Sequence, residues 1–142
     1  EASWEDRDEI VLGADTVVVL DQAVLEKPRD LDDARRMLRL LADREHTVIT
    51  GICLRHAGGR IVDHVSTAVR FLPMTDAEID AYVASGEPMD KAGAYGIQGY
   101  GATIVERVEG DYFSVMGLGM RRLVALLERV GVRYRFGAPL EG

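Results

Sequence analysis

An aspartate and a threonine lie inside an apolar segment of the sequence, and these two residues could do chemistry there. Asp15 and Thr16 interrupt the run Val11–Leu20, which is otherwise rich in β-branched residues. The run predicts a strand buried on both faces, but an unpaired carboxylate is costly to bury. We therefore expect Asp15 to lie at the open end of the strand, where a carboxylate can hold Mg²⁺ or orient water, or to cap a neighbouring turn.

A lysine follows this strand and precedes a predicted helix. Pro28 fixes the backbone beside Lys27 and disfavours helix at the lysine itself. A lysine held in this way could meet a phosphate group, although Lys-Pro pairs also occur in solvated turns. Both interpretations stay open at this point.

Residues 90–99, with the sequence DKAGAYGIQG, form a glycine-rich segment. Repeated glycines allow backbone N–H groups to approach a ligand closely. Gln98 can donate and accept hydrogen bonds at once, which suits a base edge that bears both carbonyl and N–H groups. Tyr95 could stack on a base or plug the loop. A glycine turn with a purely structural role is the alternative for the whole segment.

Other common kinds of active site find little support in the sequence. His46, His56 and His64 lack the spacing of metal ligands, and Cys53 is the only cysteine, which excludes an intrachain disulfide and a multi-thiolate zinc site. Cys53 is predicted to be a buried small hydrophobic residue. The motifs of serine hydrolases, P-loop proteins and dinucleotide-binding domains are absent.

The elements that must position these residues follow from the hydrophobic pattern. The predicted strands cover residues 11–20, 47–55, 61–71, 103–109 and 112–115, and the predicted helices follow Asp30 or cover residues 76–84 and 121–130. The second helix begins at a capping box formed by Thr75 and Glu78. The order β-α-β-β-α-β-β-α predicts an α/β or α+β domain with a mixed sheet flanked by helices.

The composition is that of one globular domain spanning residues 1–142. Hydrophobic residues make up 47% and charged residues 29% of the 142 residues, close to the average for folded chains. No apolar run approaches the roughly 18–20 residues of a membrane span. The first ten residues carry five acidic side chains, unlike a signal peptide. We expect a soluble protein located in the cytoplasm, without a membrane partner.

The net charge of −7 at pH 7 disfavours a nucleic acid polymer as partner and leaves a small phosphorylated ligand open. An acidic surface repels a nucleic acid polymer. A small phosphorylated ligand is still possible, because a few local cations, helix N-termini and a divalent metal can hold a triphosphate.

Taken together, the motifs resemble the Maf family of nucleoside triphosphate pyrophosphatases. The matching motifs, in order, are residues 13–18 (GADTVV), Lys27-Pro28, Thr50-Gly51, residues 86–88 (GEP) and residues 90–99. The resemblance runs from about residue 10 to residue 126. The sequence of residues 91–99 is similar to that of the subgroup acting on dTTP and UTP.

This resemblance implies an activity and roles for individual residues. The implied reaction is hydrolysis of a nucleoside triphosphate between its α- and β-phosphates, with a divalent metal cation, Mg²⁺ or Mn²⁺. Asp15 matches the general base or metal-binding carboxylate, Thr16 and Gln98 match positions that set base preference, and Lys27 and Lys91 match lysines that face the nucleotide. The implied fold is an α/β body with two lobes around a cleft, often a homodimer.

The sequence departs from the family pattern at its start. Family members usually have a strand and a Ser/Arg-rich loop well before the Gly-Ala-Asp-Thr motif, whereas 12 residues precede Gly13 here. We therefore expect one sheet strand and the arginines of that loop to be missing. This leaves two alternatives to an active enzyme: a nucleotide-binding or regulatory module without turnover, and an unstable fragment with an unpaired sheet edge.

Overall fold

The computed structural model describes residues 10–137, which form five strands and four α-helices. The strands are β1 (Val11–Leu20), β2 (Ala23–Leu25), β3 (Glu45–His56), β4 (Gly59–Phe71) and β5 (Val105–Glu109). The α-helices are α1 (Leu31–Leu41), α2 (Asp76–Ala84), α3 (Tyr112–Met116) and α4 (Met120–Arg129). Three short 3₁₀ turns, Glu87–Asp90, Ala92–Ala94 and Gly99–Thr103, lie between α2 and β5.

The strands form one sheet in the order β2-β1-β3-β4-β5. The predicted α/β domain with helices beside a sheet is confirmed, but all pairings between the described strands are antiparallel, which corrects the mixed character that we predict. The reason lies in the connections. Tight turns join β1 to β2 and β3 to β4, and such turns can join only antiparallel neighbours. After α1 the chain then returns on the other side of β1, again antiparallel to it.

The first two helices form as their sequences predict. Asp30 caps α1 by accepting a hydrogen bond from the backbone N–H of Asp33 at 2.7 Å, and the apolar face of α1 is buried. Thr75 and Glu78 form the expected capping box of α2. Among residues 10–137, no helix combines the length and the apolar character that a membrane span requires.

The buried residues form two hydrophobic clusters along the sheet. The larger cluster includes Val18, Val48 and Tyr95 together with the apolar faces of α1 and α2. The smaller one joins Ile52 and Leu54 to α4. Because β3 contributes to both clusters, one continuous strand connects the two packed regions.

Three local predictions are wrong. Residues 112–115 begin the helix α3 and do not form a strand, because the Asp111 side chain accepts from the backbone N–H of Phe113 at 3.0 Å and caps it. The first half of β1 is exposed and not buried on both faces, since β2 pairs only with the residues from Val18 to Leu20. Cys53 is half-buried and not fully enclosed.

Candidate active site

A cavity of about 660 Å³ lies between β1, the glycine-rich segment and α3. Its lining includes all five residues that the sequence singles out for chemistry, which are Asp15, Thr16, Lys27, Lys91 and Gln98. These residues come from three places in the chain that are up to 83 positions apart. The fold therefore brings the aspartate motif and the glycine-rich segment to one cleft.

Asp15 lies in the exposed half of β1, so its charge carries no cost of burial. Its Oδ1 accepts a hydrogen bond from the backbone N–H of Thr16 at 2.9 Å. The residue opposite Asp15 on β3 is Gly51, which has no side chain to crowd the carboxylate. The carboxylate is thus held beside the strand and is accessible to a ligand in the cavity.

Thr16 is joined through Thr50 to α3. The two threonines are directly opposite each other on β1 and β3, and their Oγ1 atoms are 2.9 Å apart. The hydroxyl of Thr50, which is fully buried, donates to the carbonyl oxygen of Ser114 at 2.5 Å. These two hydrogen bonds connect the β1 side of the cavity to α3.

The chain contains only two lysines, Lys27 and Lys91, and both line the cavity. Lys91 Nζ donates to Asp90 Oδ1 at 3.0 Å. This bond is the main cause that lowers the pKa of Asp90, and the charge of Lys27 lowers it further. Both ammonium groups therefore act on the same part of the cavity, next to Asp90, where they could neutralise phosphate charge.

The charged side chains that line the cavity do not by themselves balance a triphosphate. The lining contains two lysines and three residues with carboxylates, Asp15, Glu26 and Asp90. No group of three or more His, Cys, Asp or Glu side chains within residues 10–137 is arranged to hold a metal ion. The donor set fits a cation such as Mg²⁺, which takes one or two protein carboxylates and completes its shell with phosphate oxygens and water.

Gly93 brings the glycine-rich segment against β1. Its backbone N–H donates to the carbonyl oxygen of Glu26 at 3.1 Å. Its φ of +72° lies in the left-handed region, and a Cβ at this position would be 2.8 Å from Val18 Cγ2. A glycine is therefore required here for the two walls of the cavity to meet.

Gly96 and Gly99 pack against the carboxylate of Glu87, so this part of the segment binds a side chain of the protein itself and does not form an open phosphate-binding loop. Glu87 accepts hydrogen bonds from the backbone N–H groups of Tyr100 and Gly101, both at 3.0 Å, and from the hydroxyl of Tyr82 at 2.9 Å. The Tyr82 oxygen accepts in turn from the N–H of Gly96 at 3.1 Å. These three N–H groups are already satisfied, so the glycines serve internal packing here.

The burial of Tyr82 supports this arrangement. Burial raises the pKa of the Tyr82 hydroxyl, and Glu87 raises it further, against the opposing effect of the Gly96 N–H bond. The hydroxyl therefore stays protonated and donates to Glu87. Sequence reasoning assigned Glu87 to a motif but gave it no role.

Tyr95 packs as a buried plug beneath the cavity, the second of its two predicted roles. Its hydroxyl is 2.7 Å from Nε2 of His46, and both rings meet the ring of Phe71 edge to face. Burial lowers the pKa of His46 to about 4, so this histidine is neutral at neutral pH. His46 thus belongs to the core beneath the cavity.

Sequence reasoning missed the contribution of α3. Val115, Met116 and Gly117 line the cavity, but a predicted strand at residues 112–115 gave no reason to place them there. The signal was present in Asp111, an N-cap residue type that precedes them. Together with Val48 and Ile97, these side chains make part of the cavity apolar.

Comparisons with known proteins agree on one family. A family model described as Maf-like protein matches residues 1–130. Three proteins named dTTP/UTP pyrophosphatase are similar to this chain. The one from Clostridioides difficile (strain 630) is 49% identical over 88% of the chain. Those from Shewanella sp. (strain MR-7) and Anaeromyxobacter sp. (strain Fw109-5) are each 52% identical, over 87% and 92% of the chain. The chain spans between 63% and 66% of the length of these three relatives.

Proposed function

The chain belongs to the family of Maf-like proteins, and from this premise we propose that its cavity binds dTTP or UTP and hydrolyses the bond between the α- and β-phosphates. The products are the nucleoside monophosphate and pyrophosphate. The relatives that carry the name dTTP/UTP pyrophosphatase support the substrate class. The observation that carries the proposal is that Asp15, Thr16, Lys27, Lys91 and Gln98 all line one cavity.

Lys27 and Lys91 support a binding site for the triphosphate in the part of the cavity next to Asp90. Lys27 and Lys91 both act on Asp90, so a phosphate chain beside them would meet two cations at once. Cations at this position also stabilise the negative charge that develops on the leaving pyrophosphate. Lys91 must exchange its bond with Asp90 for a bond to phosphate, whereas Lys27 has no such carboxylate to release among the described contacts.

The apolar part of the cavity suits the base. Val48, Val115 and Met116 offer flat apolar contact to a pyrimidine ring. Thr16 and Gln98 are the polar side chains that could read the edge of the ring by hydrogen bonds. In this proposal the base lies towards α3 and the phosphates lie beside the lysines.

Asp15 is the residue that we assign to the chemical step. Its exposed carboxylate can take a proton from an attacking water molecule. It is also the residue that would hold a divalent cation, Mg²⁺ or Mn²⁺, whose chemistry when bound is to neutralise phosphate charge. A cytoplasmic location and a homodimer remain predictions, and light scattering on the purified chain measures the second.

The substitution Asp15→Asn tests the function. We expect pyrophosphate release from UTP to fall by about a hundredfold or more, because general-base catalysis contributes on that scale. The melting temperature should not change, since Asp15 is exposed. Asp32→Asn is the matched control, because Asp32 is exposed on α1 and does not line the cavity. Wild-type rates in Asp15→Asn would remove this residue from the mechanism.

Calorimetry on the wild-type chain separates hydrolysis from binding alone. Binding of UTP without release of pyrophosphate, in buffer with Mg²⁺ or Mn²⁺, would indicate a nucleotide-binding module in place of an enzyme. A chain that neither binds nor hydrolyses UTP or dTTP would contradict the proposed function altogether.

A further inference from the structure

We propose that Thr50, a buried residue that does not line the cavity, is a positioning residue that fixes the hydroxyl of Thr16 as a hydrogen-bond acceptor towards the bound base. The proposal rests on the proposed function, because it concerns how the same cavity selects uracil and thymine. It assigns Thr50 an influence on specificity that acts through another side chain.

The hydroxyl of Thr50 has one hydrogen, and its direction is determined by its partners. Thr50 Oγ1 lies 2.5 Å from the carbonyl oxygen of Ser114, and a carbonyl oxygen can only accept. Thr50 is fully buried, so water cannot compete for this bond. The hydrogen of Thr50 therefore points to α3.

The direction of the Thr16 hydroxyl follows from this. The two Oγ1 atoms are 2.9 Å apart, a hydrogen-bond distance in which either could be the donor. Because Thr50 has already given its hydrogen to Ser114, Thr16 must donate to Thr50. Towards the cavity, Thr16 then presents lone pairs and no hydrogen.

The position of Thr16 indicates which part of the ligand meets these lone pairs. The hydroxyl chain ends on Ser114, and the next two residues, Val115 and Met116, form apolar lining of the cavity. Lys91 lies beside Asp90, to which its ammonium group donates at 3.0 Å, and Lys27 lines the same cavity. In this proposal the base, and not the triphosphate, is therefore the group beside Thr16.

An acceptor at this position distinguishes pyrimidine bases by the hydrogen on ring atom N3. Uracil and thymine carry an N–H there, whereas cytosine carries a lone pair. Two facing acceptors leave both groups without a partner, and a loss of this kind reduces affinity by about tenfold or more. Thr50 thus favours uracil and thymine, because the Thr16 hydroxyl donates to Thr50 and so cannot donate to the base.

The experiment compares kcat/KM for UTP and CTP in three variants. Thr50→Val removes the hydroxyl but keeps the shape, so the Thr16 hydroxyl can turn its hydrogen towards cytosine. Thr50→Ser keeps the hydroxyl and should restore the wild-type ratio. Thr67→Val is the matched control, because the Thr67 hydroxyl also ties the start of α3 to the sheet, through Asp111, but does not contact Thr16.

We expect the UTP-to-CTP ratio to fall about tenfold in Thr50→Val and to stay near the wild-type ratio in Thr50→Ser and Thr67→Val. An unchanged ratio in Thr50→Val, or an equal fall in Thr67→Val, would overturn the proposal. If Thr50→Val melts below the assay temperature, Thr50→Ala takes its place with the same expectation.

A measurement without nucleotide separates this proposal from the proposed function. The buried hydroxyl proton of Thr50 should exchange slowly enough to be observed by NMR in the wild-type chain. A nuclear Overhauser effect from this proton to the Hα of Val115, which lies on the same side of the peptide as the Ser114 carbonyl oxygen, supports the direction that we infer, whatever the activity. If the effect is to the side chain of Thr16 alone, the hydrogen points the other way and the proposal is wrong.

Discussion

Gly93 lies against Val18 with no room for a side chain between them. A Cβ at Gly93 would be 2.8 Å from Val18 Cγ2, closer than such atoms approach in folded proteins. Val18 is on the same strand as Asp15 and Thr16, and Gly93 is in the same segment as Lys91 and Gln98. This close approach, with the hydrogen bond from Gly93 to Glu26, brings the two walls of the cavity together.

The substitution Gly93→Ala should therefore lower both stability and activity. The left-handed backbone alone costs an alanine about 1–2 kcal/mol. The contact between the new Cβ and Val18 destabilises the fold further, because either the backbone at residue 93 or strand β1 must move. Urea unfolding measures the first effect and the rate of UTP hydrolysis the second.

Gly131→Ala is the control for this prediction. Gly131 has a similar φ of +85°, but a Cβ there would meet nothing within 4 Å, and Gly131 does not line the cavity. It should lose stability through backbone strain while keeping its rate of hydrolysis. If both variants lose activity equally, the contact between Gly93 and Val18 is not what positions the site.

The carboxylate of Glu87 should be needed to keep Gln98 in place. In Glu87→Gln an amide NH₂ group, which can only donate, replaces one of the two carboxylate oxygens. At least one of the donors that bind Glu87, on Tyr82, Tyr100 or Gly101, then has no acceptor. We expect KM for UTP to rise by about tenfold, with a smaller effect on kcat, because in the proposed function the loop binds substrate and Asp15 performs the chemical step.

Glu128→Gln, the same change on the exposed surface of α4, should leave both constants unchanged. A fall in kcat alone for Glu87→Gln would show that Glu87 acts on the chemical step and not on loop position.

The two lysines allow a direct test of the phosphate site. After reductive methylation with ¹³C-formaldehyde, the side-chain amines of Lys27 and Lys91 should give two NMR signals, and both should shift when UTP is added with a divalent cation. Uridine, which lacks phosphates, should shift neither. A signal that responds equally to uridine and UTP would place that lysine away from the phosphates.

The contributions of the two lysines should be unequal. Lys91 is paired with Asp90 at 3.0 Å, so part of its interaction with phosphate replaces an existing bond. We expect Lys27→Gln to raise KM for UTP more than Lys91→Gln, and both effects to shrink at high salt. The opposite order would show that Asp90 does not compete for Lys91.

Stability should fall as the pH drops from about 6.5 towards 4 because of His46. Burial lowers the pKa of His46 from 6.5 to about 4, so between these values the unfolded chain binds a proton that the folded chain does not. The free energy of unfolding should decrease by at most about 1.4 kcal/mol per pH unit in this interval. Urea titrations at several pH values measure the slope.

His46→Gln should reduce the slope above pH 4.5, since glutamine can still bond to Tyr95 but does not titrate. The carboxyl groups with lowered pKa values, such as those of Asp33 and Glu78, add their own loss of stability as the pH falls through their ordinary pKa values of 3.8 and 4.5. His64→Gln, the same substitution at an exposed position on β4, is the matched control. An identical slope in wild type and His46→Gln would contradict this account.

Most of the secondary structure could be predicted because its signals are local. The caps at Asp30 and Thr75 and the apolar face of α1 are read within one or two helical turns. Strand β2 was missed because three residues are too few to show alternation. At residues 112–115, aromatic and β-branched residues favoured a strand, but the N-cap hydrogen bonds of Asp111 and the contacts of α3 with the sheet outweighed that preference.

The sequence by itself determined which side chains were candidates for chemistry, since an aspartate in an apolar run, two lysines and a glutamine among glycines stand out by type alone. Only the tertiary structure decided how they act together, because the cavity is closed by contacts between distant residues, such as Gly93 with Val18, that leave no periodic signal. The direction of a hydroxyl group is likewise a property of three packed elements. Thr16, Thr50 and Ser114 are far apart in the sequence, and only the packing of β1, β3 and α3 joins them by hydrogen bonds.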